Sequence, residues 1–403
     1  MVELGCFDAG VSAAACSAYE AELQKLTRVA LSDVVSVPDR LVFKPLEAQP
    51  EGAMTVAQVQ RGLAAIGFFP GGKDDGICGY RTQSAIRLFQ EYVRSVEKQP
   101  ILPDGRFGPE TQVHLRRWLD NHVESRYAPA MTAWQAGTLG PCEYNDWLDL
   151  LNQVKAKYLA EPTPMLQLVN RSTAGSDTRK VADWDFSSAG TIHLIGVRRK
   201  VAAGRFDDIF VLLMKGLVFK FQGSTDPGSA AAGEFPPFLV QGQHNYQFGW
   251  HQKKYLALRP HTKGVLVVRS KNGITLDEED LSNGLDVPNF TINIHWGGQG
   301  MGATINDFSQ GCQVINGSVY FNPDGELTDC RPFSALNNKE IAANPKKTRA
   351  AYNVLLDHVT ALSGDLPSNT VKYMLLTEDD LALAPALAKS LDDAKALIAK
   401  ALG

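Results

Sequence analysis

The hydrophobic period changes once along these 403 residues, near position 180, and a chain that changes period must build more than one kind of folded unit. Between about 54 and 120 the apolar residues recur on one helical face. Val56, Val59, Leu63 and Ile66 form one stripe. Ala85, Ile86, Phe89 and Val93 form a second, and Leu115 and Trp118 close a third. Each stripe needs another helix to cover it, so three short helices packed together are expected. From about 180 the runs GTIHLIGVRRKV, DDIFVLLMKG, LVFKFQG, KYLALRP, GVLVVRS and NFTINIHWG are short, β-branched and parted by Gly, Pro, Asp and Asn. These read as strands. Between the two patterns lies a connector with one helix, Tyr144 to Leu159, stopped by Glu161-Pro162-Thr163-Pro164. Beyond the strands, 346–363 reads as helix, 371–376 as strand and the Ala/Leu/Lys-rich 385–402 as an amphipathic helix packed on the sheet.

The expected architecture is therefore a multidomain α+β fold. A lead-in (1–50) precedes a small three-helix domain (51–122), a helical connector (123–165), a β-rich domain (166–380) and a C-terminal helix (381–403). Composition sets the outer limits. At 44% hydrophobic and 21% charged the chain can build a sizeable core, which excludes a disordered or fibrous protein. Forty Lys+Arg against 44 Asp+Glu give −4, so no bulk basic field marks a nucleic-acid partner. No apolar run reaches the roughly 18–20 residues of a membrane helix, so an integral membrane protein is not expected. The first 25 residues have neither a basic start nor an apolar centre and read as no secretory signal. The six cysteines include no CxxC pair, which argues against a zinc ribbon or a thioredoxin-type site.

Inside the three-helix segment one turn sequence occurs twice. Asp75-Gly76-Ile77-Cys78-Gly79-Tyr80-Arg81-Thr82 has the form DGxxGxxT, and Asp104-Gly105-Arg106-Phe107-Gly108-Pro109-Glu110-Thr111 repeats it 29 residues later. Each is a tight turn that runs into a helix. With Val59-Gln60-x-x-Leu63, Gly67-Phe68-Phe69 and Ala85-Ile86-x-x-Phe89-Gln90, this segment resembles the bacterial peptidoglycan-binding domain, a three-helix module found beside cell-wall enzymes. The resemblance implies peptidoglycan as partner. Phe68, Phe69 and Tyr80 are the candidate contacts, read as exposed aromatics on which sugar rings stack.

The sharpest chemical feature is TINIHWGGQGMGATINDFSQGCQVIN, residues 291–316. A strand delivers His295, a Gly-rich loop follows, and Ser309-Gln310-Gly311-Cys312 closes it. A cysteine nucleophile needs a base within reach and backbone N–H groups free to hold an oxyanion. Gly311 lets the backbone approach a carbonyl with no Cβ in the way. This region resembles the L,D-transpeptidases, peptidoglycan-modifying cysteine enzymes with a β-sandwich-like catalytic domain. Ser309, Gly311 and Cys312 match the family's motif, and the resemblance implies Cys312 as nucleophile, His295 as general base, and the backbone around Gly311 and Cys312 as oxyanion hole. Two departures stand out: Gln310 occupies the place of a second histidine, and Gln313 follows the cysteine. Gln310, Trp296, His251, Tyr246 and Trp250 are the candidate substrate contacts. Asp307 reads as a turn former that could also orient a base, His193 as a sheet residue, His244 and His261 as loop residues with no clear partner, and Cys330 is expected to be buried. No cofactor or metal is expected.

The functional expectation is a bacterial cell-wall enzyme that transfers the acyl group of a stem peptide to an amine or to water, acting as transpeptidase, exchange enzyme or L,D-carboxypeptidase. It would work in the cell envelope or after secretion, as an antibacterial effector or a phage-type lysis protein, by a route that leaves no evident signal and so from the cytoplasm. No partner among secretion or immunity proteins is legible. Two alternatives remain open. One is a metal-dependent wall amidase or peptidase recruiting His244, His251, His295 and an Asp. The other is a non-catalytic wall-binding protein whose transpeptidase-like domain has decayed.

Overall fold

The computed structural model describes residues 54–68, 74, 80–187, 191–200, 204–228, 235–251, 255–271, 276–300, 309–362 and 370–402. Three helices form where the apolar stripes require them: α1 (Val56–Ala65), α2 (Tyr80–Ser95) and α3 (Pro109–Asp120). Helix α1 starts at a capping box, with Thr55 Oγ accepting from Gln58 N–H and Gln58 Oε1 accepting from Thr55 N–H. The second DGxxGxxT turn is held from inside. Gln90 Oε1 accepts Gly105 N–H at 2.8 Å, while Gln90 Nε2 donates to Arg106 O and Thr111 Oγ1. Gly105 has φ +79°, and a Cβ there would sit 2.8 Å from Gln83 Cγ, so the repeated glycine is a folding requirement. The Asp-Gly-Ile-Cys-Gly part of the first copy lies outside the described residues.

One expectation about this module is overturned. Phe68 is 6% exposed and packs edge-on against Phe89 and Tyr92, with centroids 5.7 and 5.4 Å away. With only three short helices to bury, the module needs Phe68 in its core beside Phe89, Tyr92 and Trp118 rather than on a sugar-binding surface. Phe69 lies outside the described residues, as does the side chain of Tyr80.

The connector carries α4 (Ala128–Gln135), α5 (Glu143–Ala160) and α6 (Pro164–Arg171). Eleven strands follow: β1 (Ile192–Arg198), β2 (Asp208–Met214), β3 (Leu217–Ser224), β4 (Pro237–Leu239), β5 (Gly242–His251), β6 (Tyr255–Pro260), β7 (Val267–Arg269), β8 (Ile294–Trp296), β9 (Gln313–Phe321), β10 (Leu327–Asp329) and β11 (Val371–Thr377). Helices α7 (Glu278–Ser282), α8 (Asn338–Ala343), α9 (Ala351–Leu362) and α10 (Pro385–Leu402), with two 3₁₀ turns at Val181–Asp183 and Glu378–Leu383, complete the described elements. The main sheet runs β10-β9-β3-β2-β1-β11-β5-β6-β8, and β8 also pairs with β9, so eight strands close into a barrel. Strand β9 makes this possible by its length. Along one edge it pairs with β3. Along the other, Gln313–Ile315 take β8 in parallel and Val319–Phe321 take β10. Strands β4 and β7 form a separate ribbon.

Side chains from all eight barrel strands meet in one apolar cluster, among them Leu194, Phe210, Phe221, Phe248, Leu258 and Ile294. Only the inner face of a closed sheet can bring these together. On the outer face Ile195, Val211, Leu213 and Met374 are covered by α5 and α10 through Trp147, Leu151, Leu391 and Ile398. The inner cluster continues through α9, which is buried along its whole length, into Leu63, Phe89 and Trp118 of the three-helix module. Polar contacts reinforce the junction. Arg87 pairs with Asp357 at 2.8 Å, and Tyr320 donates to Glu91 at 2.7 Å. The module and the barrel therefore share one core, and any movement of α2 is felt by α9.

Candidate functional site

Strands β8 and β9 place the two residues singled out by the sequence. They run parallel with Ile294 opposite Gln313 and His295 opposite Val314. Side chains alternate along a strand, so Asn293, His295, Cys312 and Val314 share one face, while Ile294, Trp296, Gln313 and Ile315 share the other. The second set enters the barrel. Gln313 Nε2 donates to Thr225 O at 3.1 Å and its Oε1 accepts from Tyr373 OH at 2.8 Å, which anchors the start of β9 directly behind Cys312.

His295 is 2% exposed. Its Nδ1 lies 2.9 Å from Trp296 O, and a carbonyl can only accept, so Nδ1 carries the proton. The lone pair is then on Nε2, which is buried and has no hydrogen-bond partner among the described residues. Burial pushes the imidazole down to about 4, so it is neutral at pH 7. Two side chains hold the ring. His251 stacks on it at 4.0 Å, Tyr255 OH lies 3.5 Å from Nδ1, and the same hydroxyl donates to Trp296 O at 3.2 Å. His251 Nδ1 lies 3.1 Å from Asn293 Nδ2, which can only donate, so that nitrogen accepts.

The Cys312 thiol is half-buried and free. It donates to Thr291 O at 3.2 Å and accepts Asn293 N–H at 3.4 Å. Burial pushes it up to about 11, against the smaller opposing effects of the Asn293 N–H and the Arg259 charge. The resting pair is thus a neutral thiol and a neutral imidazole. Ser309 Oγ accepts Gly311 N–H at 3.0 Å and donates to Cys312 O at 2.7 Å, which locks the turn. Gly311 has φ +137°, and a Cβ there would come within 2.6 Å of Pro237 O, so no other residue fits without displacement. The oxyanion hole expected from Gly311 and Cys312 is modified accordingly. The Gly311 N–H is committed to Ser309, and the Cys312 N–H is the one with no partner among the described residues. Gln310 is exposed at the tip of the turn.

Two expected substrate contacts are corrected. Trp296 is 3% exposed and belongs to the inner cluster, and Tyr246 is fully buried with its hydroxyl donating to Ile292 O at 3.1 Å. Strand alternation turns both inward. The Trp250 side chain and Asp307 lie outside the described residues. His244 is buried between Thr178 Oγ1 and Val240 O, and His193 lies buried beside Ser187 O, so both are sheet residues. Cys330 is a buried free thiol 3.6 Å from Arg94. Thr291, Asn293, Tyr255 and Arg259 are site neighbours that sequence reasoning missed. The first two lie in the extended segment that enters the His295 strand, where alternation could have found Asn293. Tyr255 and Arg259 arrive only through barrel closure. Among the described residues no group of three or more His, Cys, Asp or Glu could hold a metal ion, and no helix is long and apolar enough to cross a membrane.

Comparison with known families agrees with the first resemblance. Residues 54–115 match the family model of the peptidoglycan-binding domain. No curated protein and no solved structure gives a significant match. The chain is thus a peptidoglycan-associated α+β protein, in which a helical peptidoglycan-binding domain precedes a closed β-barrel with C-terminal helices.

Proposed function

We propose that the barrel is a cysteine-dependent acyl-transfer enzyme acting on peptidoglycan stem peptides, of the L,D-transpeptidase kind, working in the cell envelope or after secretion. The observation that carries this reading is the state of His295. Its Nδ1 is fixed as donor, and a buried, unpartnered Nε2 lone pair lies on the Cys312 face of two adjacent strands. A buried polar atom left without a partner is costly and needs a reason, and a proton to be received is one. In the proposed reaction, bound substrate draws the S–H away from Thr291 O. The thiol proton passes to His295 Nε2 as Sγ attacks the carbonyl of the third stem residue. The Cys312 N–H donates to the developing oxyanion. The imidazolium then protonates the departing amine of the terminal D-alanine and a thioester remains. An incoming amine gives a crosslink or an exchanged residue, and water gives a tripeptide. Mass spectrometry of defined tetrapeptide muropeptides, incubated with wild type and with Cys312→Ala, tests this. Loss, exchange or crosslinking of D-alanine only in wild type is expected, and no change in either sample refutes it.

A second reading, peptidoglycan binding without chemistry, has its own support. The thiol is bonded to Thr291 and held near 11, Gly311 N–H is occupied, and Gln310 cannot titrate. Under that reading Cys312→Ala leaves every function of the chain unchanged.

A further inference from the structure

Phe68, one of the three aromatics expected to stack on sugar, is buried, while a groove of about 640 Å³ lies elsewhere on the peptidoglycan-binding domain. Met54, Gly62 and Leu119 line its apolar part, and Arg61 and Arg116 stand beside them. The groove exists because α1 and α3 approach closely at Gly62. A Cβ there would meet Leu119 Cδ1 at 3.1 Å and Leu115 Cδ2 at 3.3 Å. Its near end is fixed by Met54 N–H, which donates to Gln112 Oε1 at 2.8 Å and so ties the chain entering α1 onto α3. Both arginines are exposed, and Asp74 orients Arg61 by an ion pair at 2.8 Å. A guanidinium has five donors, so one contact to Asp74 does not exhaust it.

The geometry points to this groove between α1 and α3 as the site where the domain holds the stem peptide of peptidoglycan, through its carboxylates, rather than the glycan. The inference rests on the peptidoglycan reading of residues 54–115. The argument is charge and shape. The sugar rings of the polymer are uncharged and need flat aromatic faces, and among the described residues no aromatic side chain lines the groove. Carboxylates are carried by the lactyl-linked peptide, and planar guanidinium forks match them in two-pronged contacts. The apolar strip of Met54 and Leu119 suits the methyl groups of short alanyl side chains lying between those carboxylates. The site is separate from the Cys312 face, so binding here would tether the polymer while the barrel acts on another stem.

The test is co-sedimentation of the full chain with insoluble sacculi, comparing wild type, Arg61→Gln/Arg116→Gln and the charge-matched control Arg171→Gln/Arg179→Gln, two exposed arginines outside the three-helix domain. Each protein is run on intact sacculi and on glycan strands stripped of peptide by an amidase. Expected are a loss of affinity on the order of tenfold for the double variant on intact sacculi, no change for the control, and equally weak binding of all three to stripped glycan. Undiminished binding by the double variant, or full wild-type binding to stripped glycan, overturns the groove assignment alone. No wild-type binding to intact sacculi overturns the peptidoglycan reading on which it rests. The substituted arginines are exposed, and circular dichroism of the variants checks that the fold is kept.

Discussion

The reactivity of Cys312 can be worked out from its surroundings. Its thiol is pushed up to about 11, chiefly by burial. At pH 7 about one part in ten thousand is thiolate, against about three parts in a hundred for an ordinary thiol near 8.5. The thiolate population is therefore roughly 300-fold smaller. A more basic thiolate is also a better nucleophile, and a Brønsted slope of about 0.4–0.5 over this interval recovers roughly tenfold. Alkylation of Cys312 by iodoacetamide should run about 30-fold slower than that of a free cysteine peptide at pH 7. Its rate should keep rising tenfold per pH unit beyond pH 9, where the peptide has levelled off. The readout is time-resolved labelling of the native protein, with the Cys312 peptide quantified by mass spectrometry. Because His295 is neutral and the S–H faces Thr291 O, His295→Gln should change the profile less than about twofold in the absence of substrate. A rate that levels off below pH 8, and that His295→Gln abolishes, would mean a preformed thiolate–imidazolium pair. The account of proton transfer on substrate binding would then be wrong.

Further expectations concern the scaffold. Gly311→Ala places a Cβ 2.6 Å from Pro237 O at φ +137°, which should cost about 1–3 kcal/mol and lower the melting temperature by several degrees; an unchanged melting curve would refute the strain argument. Tyr352 OH donates to Leu256 O at 3.1 Å and Ile294 O at 3.4 Å, bridging β6 and β8 where they share a single registered pair, Leu258 and Ile294. Tyr352→Phe keeps the ring but orphans those carbonyls, so about 1–3 kcal/mol should be lost and amide exchange should quicken first along β8; uniform exchange would refute the seam. Burial pushes His193, His295 and His358 down to about 4 and His244 to about 3. The unfolded chain therefore takes up these protons first, and stability present above about pH 6.5 is lost as the pH falls toward 4, on the order of 2 kcal/mol per histidine at pH 5. Burial raises Asp208, Asp226, Asp207 and Asp357, and these gain in the opposite sense and offset part of the loss. Thermal unfolding should occur at lower temperature at pH 5 than at pH 7, and an equal or higher midpoint would refute the balance.

The helical module was legible because its information is local. A 3.6-residue apolar period, a capping residue and two Asp-Gly turns act within a few residues of each other, and α1, α2 and α3 form around the expected stripes. Most strands were legible for the same reason, and 371–376 and 385–402 were placed within a residue of β11 and α10. Strands β4, β9 and β10 were not read as strands, and neither was β5. Its polar Gln243, His244 and Gln247 mask the alternation, and all three side chains are satisfied by partners distant in sequence or by backbone brought close through the sheet. The position of Phe68 was misread because exposure depends on what the other two helices bring, and a local pattern cannot supply that.

At the candidate site the sequence marked the residue types, Cys312, His295, Ser309 and Gly311, from a chemical pattern spread over eighteen positions. Tertiary structure decided which of their atoms are available. The parallel β8–β9 pairing, set by closure of an eight-stranded barrel, puts the thiol and the imidazole on one face. It turns Trp296 inward, brings Tyr255 and His251 against the ring, and occupies the Gly311 N–H that a linear motif would leave free. A protonation state depends on burial and on partners from remote strands, so it is a property of the closed barrel and has no counterpart in the local sequence.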